Sequence, residues 1–244
     1  MANGFDPRVA AAAHTAGTAD RDVAYDAGLR SYMLSVYNYM ASGVLLTGVV
    51  AMLFASSGMA EAVLVNGGPL RWLVMLAPLG FVMVLSFGIN RLSTAAAQGL
   101  FWAFAVVMGI SMSSIFLIFT GTSIAQTFFA TAAAFVSLSL WGYTTKKDLS
   151  AVGTFLIMGV FGLIVAMIIN MFLQSGAMAL VISAVGVLLF AGLTAYDTQR
   201  IKSEYFHFRG SDFIGKAAIM GALNLYLDFV NMFSFLLNFM GQRD

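Results

Sequence analysis

The amino-acid sequence predicts an all-α integral membrane protein with seven transmembrane helices. Two features of its composition indicate this fold class: 60% of the 244 residues are hydrophobic and only 9% are charged. Soluble domains carry about 25% charged residues, so this chain lacks the polar surface of a water-soluble fold. The third observation is the length of the apolar runs, which match the ~20 residues that a helix needs to cross the hydrocarbon core of a bilayer.

Seven apolar segments are long enough to cross the bilayer as helices. We predict these spans at residues 31–56, 70–90, 96–119, 124–141, 152–173, 177–196 and 216–240. Connections such as "TGTS" and "QSGA" are short, so we expect sequential helices to be antiparallel neighbours. Strands of a transmembrane barrel would be ~10 residues long with strict alternation of apolar and polar side chains, and these runs do not alternate.

The start of the chain differs in composition from the spans. The first 30 residues are polar and carry charges of both signs. A signal peptide would have a basic region followed at once by a short apolar core, and this segment does not. We therefore expect residues 1–30 to form a flexible cytoplasmic N-terminal arm and residues 31–244 to form the seven-helix transmembrane domain.

Lysine and arginine are concentrated on one side of the predicted bundle. If the N-terminus is cytoplasmic, ten of the 12 basic residues fall on the cytoplasmic side, and only Arg71 and Arg243 fall outside. Because cytoplasmic loops of membrane proteins carry an excess of Lys and Arg, we predict a cytoplasmic N-terminus and an external C-terminus.

The residue types missing from the spans argue against several functional classes. The chain has no cysteine, and its two histidines, His14 and His207, lie outside the predicted spans. We therefore expect no thiolate catalysis, no Cys-ligated metal and no intramembrane Ser–His dyad, and we predict that the protein is not an enzyme and has no resident cofactor. The net charge of +1 gives no electrostatic basis for nucleic-acid binding.

One acidic residue lies deep within a predicted span. Asp228 is near the middle of the last apolar segment, "GALNLYLDFVNMFSFLLNFM", and Asp197 lies at the end of the sixth, in "AYDTQRIKSEY". On an ideal helix, four polar residues of the last span share an arc of about 80°: Asn224, Asp228, Asn231 and Asn238. Thr194 and Asp197 share one side of the sixth span.

This polar stripe has two interpretations. It can be structural, with polar side chains that specify the packing of a central helix. It can also be a pathway for protons or cations, because ionisable residues at membrane depth are functional candidates. Two carboxyl groups that meet do not easily ionise together, so a pair can hold one proton, for which an oxygen-preferring cation such as Ca²⁺ can compete.

The segment "AYDTQRIKSEY", followed by "ALNLYLDFVNMFSFLLNFMG" as the last helix, resembles the signature of the Bax inhibitor-1 family, also called the transmembrane Bax-inhibitor-motif family. "YTTKKDLS", between the fourth and fifth spans, and "DAGLRSYMLSVYNYM", at the start of the first, are similar to its bacterial members. The resemblance covers nearly the whole chain from Asp26 onward and implies six helices around a central, C-terminal seventh, in a bacterial inner (plasma) membrane.

The resemblance also implies a pH-sensitive Ca²⁺ leak. In the family, an aspartate of the sixth helix and one of the seventh form a hydrogen-bonded pair; the matching residues are Asp197 and Asp228, which are also the possible Ca²⁺ ligands. Arg91 matches an arginine that can latch onto the sixth-helix aspartate. The predicted lining of the route is the polar set Asn224, Asn231, Asn238 and Thr194.

Two points stay open at the level of the sequence. For Asp197 to reach Asp228, the sixth helix must continue past Asp197 into "TQRIKSEY". The alternative function is a non-conducting regulator of a membrane protease or of membrane-protein quality control, because some bacterial relatives are associated with such a protease. The arm at residues 1–30 would then contact this partner.

Overall fold

The computed structural model describes the backbone of residues 7–243 and the side chains of residues 27–243. Within this range the chain is almost entirely helical. The helices are α1 (Pro7–Ser56), α2 (Pro69–Gly88), α3 (Thr94–Met112), α4 (Ile115–Ile118), α5 (Gly121–Thr144), α6 (Ser150–Leu173), α7 (Gly176–Phe208) and α8 (Ile214–Met240). A π-helical turn, Glu61–Val65, lies between α1 and α2.

Among the described residues, seven helical segments are long and apolar enough to cross a membrane. The first is Ala27–Ser56, which is the apolar part of α1, and the third is Thr94–Ile118, which joins α3 and the short α4. The other five are α2, α5, α6, α7 and α8 in full. The predicted all-α fold with seven spans is therefore confirmed.

The seventh span, α8, is the central helix of the bundle. In its most apolar stretch 61% of the residues are buried, whereas the other spans reach at most 33%. It packs against α7, α1, α5 and α3. The helices α2 and α6 lie farther out, packed on α3 and α7 respectively, and only 11% and 17% of their spanning stretches are buried. The central C-terminal helix is thus confirmed, and the helices around it differ in how closely they approach it.

The sixth span continues well beyond its apolar part. α7 ends at Phe208 and so includes the whole "DTQRIKSEY" segment. Ile201 is fully buried within this extension. Gln199 fixes the neighbouring loop, since its Nε2 donates to the carbonyl of Lys147 at 2.8 Å and its Oε1 accepts from the backbone N–H of Leu149 at 2.9 Å. The continuation that an aspartate pair requires is therefore present.

The helices α5 and α7 cross at a glycine close to this extension. At Gly142 of α5, an added Cβ atom would overlap the carbonyl oxygen of Ala195 on α7. Small residues at such crossings let helix backbones approach closely in membrane proteins. Gly142 therefore sets the distance between the fourth and sixth spans at the level of Asp197.

The end of the chain folds back onto the loop between α4 and α5. We call residues 241–243 the C-terminal strap. The backbone N–H of Thr120 donates to the carbonyl of Gln242 at 3.1 Å. Arg243 pairs with Phe119 in an isolated antiparallel bridge, and its guanidinium carbon lies 5.7 Å from the centre of the Phe119 ring. The strap thus fastens the end of the central helix to the start of the fourth span.

The predicted N-terminal arm, residues 1–30, falls almost wholly outside the residues whose side chains are described. Its flexibility therefore stays a prediction. The cytoplasmic N-terminus and external C-terminus also stay predictions, because the orientation of a bundle in the membrane is not fixed by its fold.

Candidate functional site

Asp197 and Asp228 meet where α7 packs against α8. The two carboxyl groups lie close enough to interact directly. Both residues are buried, with 8% and 4% of their surface exposed. An ionised carboxylate can only accept hydrogen bonds, so two carboxyl groups this close can bond to each other only when one of them carries a proton. The structure therefore brings together the two aspartates that the sequence singles out, and their sharing of one proton stays a prediction.

The positive charge beside this pair belongs to Arg200, one turn after Asp197 on α7. Its Nη1 lies 3.4 Å from Oδ1 of Asp197, and its Nε lies 3.4 Å from Oε1 of Glu204. The guanidinium carbon also lies 5.8 Å from the centre of the Tyr196 ring. Arg200 therefore divides its charge between Asp197 and Glu204.

One oxygen of the pair has no partner. Oδ2 of Asp228 is buried and makes no hydrogen bond among the described residues. Buried polar atoms are nearly always hydrogen-bonded, so an exception needs a reason. An unpaired carboxyl oxygen beside a second carboxyl group can accept a proton or contribute a ligand to a cation.

A chain of hydroxyl groups holds α7 next to the pair. Oγ1 of Thr198 donates to the carbonyl of Thr194 at 2.8 Å, so it accepts from Oγ of Ser139, also 2.8 Å away. Ser139 in turn accepts from the hydroxyl of Tyr37 at 2.9 Å. These bonds connect α1, α5 and α7 at the residue after Asp197, and they fix the rotation of α7.

A second buried polar contact holds α8. Thr47 donates through Oγ1 to the carbonyl of Ala105 at 2.8 Å, so the hydroxyl of Tyr226, 2.6 Å away, donates to Thr47. Tyr226 is completely buried, and its ring packs edge-on against Phe104 with 5.0 Å between centroids. Since Tyr226 lies two residues before Asp228, the contact fixes α8 against α1 and α3 beside the pair.

Arg91, the predicted latch, is exposed in the turn after α2. Within the described part of the chain, the ion pairs of Asp197 include Arg200 and not Arg91. The neighbouring Leu92 is held by Lys216 of α8, whose Nζ donates to the Leu92 carbonyl at 3.3 Å. The latching of Arg91 onto Asp197 therefore stays a prediction.

Two asparagines of the polar stripe bond to the backbone of their own helix. The side-chain amides of Asn231 and Asn238 each donate to a backbone carbonyl one turn earlier in α8, at 2.8 Å. Asn224 is half-buried and Asn238 is exposed. Thr194 is buried on α7, and its hydroxyl also donates to its own helix. That these four residues line a route stays a prediction.

The sequence alone does not assign a role to several residues at the site. Two of them leave a local signal: Arg200 lies three residues after Asp197, and Glu204 lies four residues after Arg200, which are the spacings at which side chains meet on a helix. The contact of Tyr37 with Ser139 leaves no such signal, because it joins residues 102 positions apart.

Comparisons with known proteins place this chain in a family. The family model described as "Inhibitor of apoptosis-promoting Bax1" matches residues 29–244. An uncharacterized protein of Rickettsia prowazekii is 44% identical over 230 residues, which cover 94% of this chain and 97% of the relative. The inner membrane protein YbhL of Escherichia coli is 42% identical over 219 residues, covering 89% of this chain and 94% of the relative.

A more distant relative gives the same result. An uncharacterized membrane protein of Streptococcus pyogenes is 36% identical over 221 residues, covering 90% of this chain and 96% of the relative. The family match extends over all seven spans. The resemblance seen in the sequence and the predicted multi-pass location in a bacterial inner membrane are confirmed. The chain belongs to the Bax inhibitor-1 family of membrane proteins.

Proposed function

We propose that this protein is a pH-sensitive leak pathway for Ca²⁺, gated by the proton that Asp197 and Asp228 share. The observation that carries this proposal is the close approach of two buried carboxyl groups where α7 packs against α8. The pair lies on the central helix and its closest neighbour, which is the interior of the bundle. The proposed activity is transport, without a catalytic step.

The proton controls the charge at the α7–α8 contact. With one proton, the pair carries a single negative charge, which faces the guanidinium of Arg200. Without it, two neighbouring negative charges lie in a medium of low dielectric constant, where they repel strongly. This repulsion favours either separation of α7 from α8 or entry of a cation between the carboxylates.

The carboxyl groups of Asp197 and Asp228 are suited to weak binding of an ion that passes through the bundle. Ca²⁺ takes 6–8 oxygen ligands in proteins. Among the described residues, no cluster of three or more acidic or histidine side chains could hold a metal ion. Asp197 and Asp228 therefore supply two carboxylates, and a passing ion would keep much of its hydration. Such weak binding is what conduction requires, since an ion must leave the site again.

The Asp228→Asn variant tests the role of the proton. Its amide offers N–H donors and a carbonyl acceptor at every pH, so a contact with Asp197 no longer requires a titrating proton at position 228. We expect wild-type protein in liposomes with an entrapped Ca²⁺ indicator to show a Ca²⁺ flux that changes with pH between about pH 5 and 8. The D228N variant should carry a flux that no longer depends on pH.

The matched control is Asp148→Asn, in the loop between α5 and α6. Hydrogen bonds from the side chain and the backbone of Ser150 lower the pKa of Asp148, so that it stays ionised throughout the assay. We expect D148N to keep the wild-type pH profile. A wild-type profile in D228N would contradict the proposal. Absence of flux at any pH, with a membrane protease that co-purifies only when residues 2–25 are present, would favour the regulator instead.

A further inference from the structure

An apolar cleft opens between α1 and α5, in the half of the bundle that contains the C-terminal strap. Its volume is about 290 Å³. Its walls come from α1, α3, α4 and α5, and its floor is formed by Phe229, Val230 and Phe233 of the central helix. The cleft therefore leads from the surface of the bundle to the residues that directly follow Asp228.

The cleft exists because α1 and α5 diverge. Both helices pack on α8, but they scarcely touch each other. At the level of the aspartate pair, the hydrogen bond of Tyr37 with Ser139 joins them. In the other half they present small residues, and a Cβ atom added at Gly48 or Gly121 would meet no atom within 4 Å. Neither glycine has a side chain that could fill the gap between α1 and α5.

The lining of the cleft is apolar and favours a hydrocarbon chain over water. Among its lining residues only Thr47 has a polar side chain. That hydroxyl already donates to Ala105 and accepts from Tyr226. Water in a buried space needs two to four polar partners, which this cleft does not offer. Phe129 at the mouth is 71% exposed, so the cleft is continuous with the lipid-facing surface of the spans.

We propose that this cleft binds one acyl chain of a membrane phospholipid, which reaches Phe229 and Val230 on the central helix. An empty cleft would lose dispersion contacts along its walls, and a hydrocarbon chain restores them. The bilayer supplies such chains at the mouth. Phe229 and Val230 are only 5% and 7% exposed, so a chain has to enter the cleft to touch them. The proposal is independent of ion transport.

Photo-crosslinking of the full chain tests this site. The protein is reconstituted in vesicles of phosphatidylethanolamine and phosphatidylglycerol that contain a phosphatidylcholine with a diazirine in its acyl chain. After illumination, adducts are mapped by mass spectrometry. We expect adducts at Phe229 and Val230, in addition to those on exposed residues such as Phe129. Adducts at Phe129 without any at Phe229 or Val230 would overturn the proposal.

A cleft-filling variant makes the test specific. We expect Gly48→Leu to reduce the adducts at Phe229 and Val230 several-fold, because its side chain enters the open space. Gly162→Leu is the matched control, since Gly162 lies in α6, away from the cleft, and an added Cβ also meets no atom within 4 Å. Adducts that are equally abundant in G48L and G162L would contradict the proposal.

A second pair of variants covers the case in which G48L does not fold. Ala125 lines the cleft on α5, whereas Ala130 lies outside the lining, and both are exposed alanines of the same helix. We expect A125L to lose the adducts on α8 and A130L to keep them. The same yield of adducts in A125L as in A130L would overturn the proposal without reference to Gly48.

Discussion

Two tyrosines of the core differ in what their hydroxyl groups meet. Tyr226 is completely buried and donates to Thr47 at 2.6 Å. Tyr32 is 6% exposed, and its hydroxyl is buried with no hydrogen-bond partner among the described residues. The tyrosine hydroxyl is therefore hydrogen-bonded at position 226 and buried without a partner at position 32. Substitution by phenylalanine should change the stability of the protein differently at the two positions.

We expect Tyr226→Phe to lower the free energy of unfolding by about 0.5–1.5 kcal/mol, because it removes a buried hydrogen bond. Tyr32→Phe should be neutral or stabilising, because it removes a hydroxyl that is buried without a partner. Unfolding in detergent micelles, followed by circular dichroism, measures both. Equal losses in the two variants would contradict the assignment of the hydrogen bond.

The site is only partly predictable at the scale of the residue. Asp228 could be identified because a carboxyl group in a long apolar run has no structural reason to be there unless it has a partner. The pairing of Asp197 with Asp228 required the family resemblance, because Asp197 lies at the edge of its apolar run. The bonds of Ser139 with Tyr37 and Thr198 could not be predicted, since they depend on how three distant helices are rotated.

At the scale of the element, the crossing of α5 and α7 depends on one glycine. Gly142 leaves no room for a Cβ atom against Ala195. Ser139, about one turn earlier on α5, makes the hydrogen bond to Thr198. A side chain at position 142 would therefore push the two helices apart and lengthen this bond.

We expect Gly142→Ala to destabilise the protein by about 1–3 kcal/mol, the usual cost of an overpacked contact. Gly162→Ala, where the added Cβ meets no atom within 4 Å, should instead be neutral or stabilising by up to about 1 kcal/mol, since alanine is the better helix former. Thermal unfolding of the two variants in the same detergent makes the comparison. Similar stabilities for both would show that the crossing tolerates a methyl group.

The length of α7 shows what hydropathy predicts about an element and what it does not. The apolar run ends near residue 196, whereas the helix continues to Phe208. Hydropathy marks where a chain contacts lipid, but a helix continues wherever its backbone and packing allow. The buried Ile201 and the loop contacts of Gln199 maintain this continuation. Packing thus determines whether Asp197 lies opposite Asp228.

At the scale of the whole molecule, the distribution of Lys and Arg predicts the orientation of the bundle. The chain has no cysteine, so a single introduced cysteine reports its own location. Ser57 follows α1 and Ser211 follows α7, and both are exposed serines whose hydroxyls donate to a backbone carbonyl three residues earlier. They therefore form a matched pair on opposite sides of the predicted membrane.

We expect a membrane-impermeant maleimide to label Ser57→Cys in right-side-out membrane vesicles and to label Ser211→Cys only after permeabilisation, because cytoplasmic loops carry the basic residues. A gel shift of the labelled chain gives the measurement. The reverse pattern would mean that the N-terminus lies outside. Labelling of both positions in sealed vesicles would contradict the predicted alternation of the loops.

The C-terminal strap determines how the central helix can move. Its bond from Thr120 to Gln242 clamps one end of α8, whereas the other end follows a turn at Gly210, whose φ is +77°. The strap opposes sliding of α8 along its axis, so a movement of α8 against α7 would be a tilt about the strap. Asp228 lies about 18 Å from the end of α8 at Met240, given 1.5 Å of rise per residue. Such a tilt of about 5° would move Asp228 by about 1.5 Å, which is more than the range of distances over which a hydrogen bond forms.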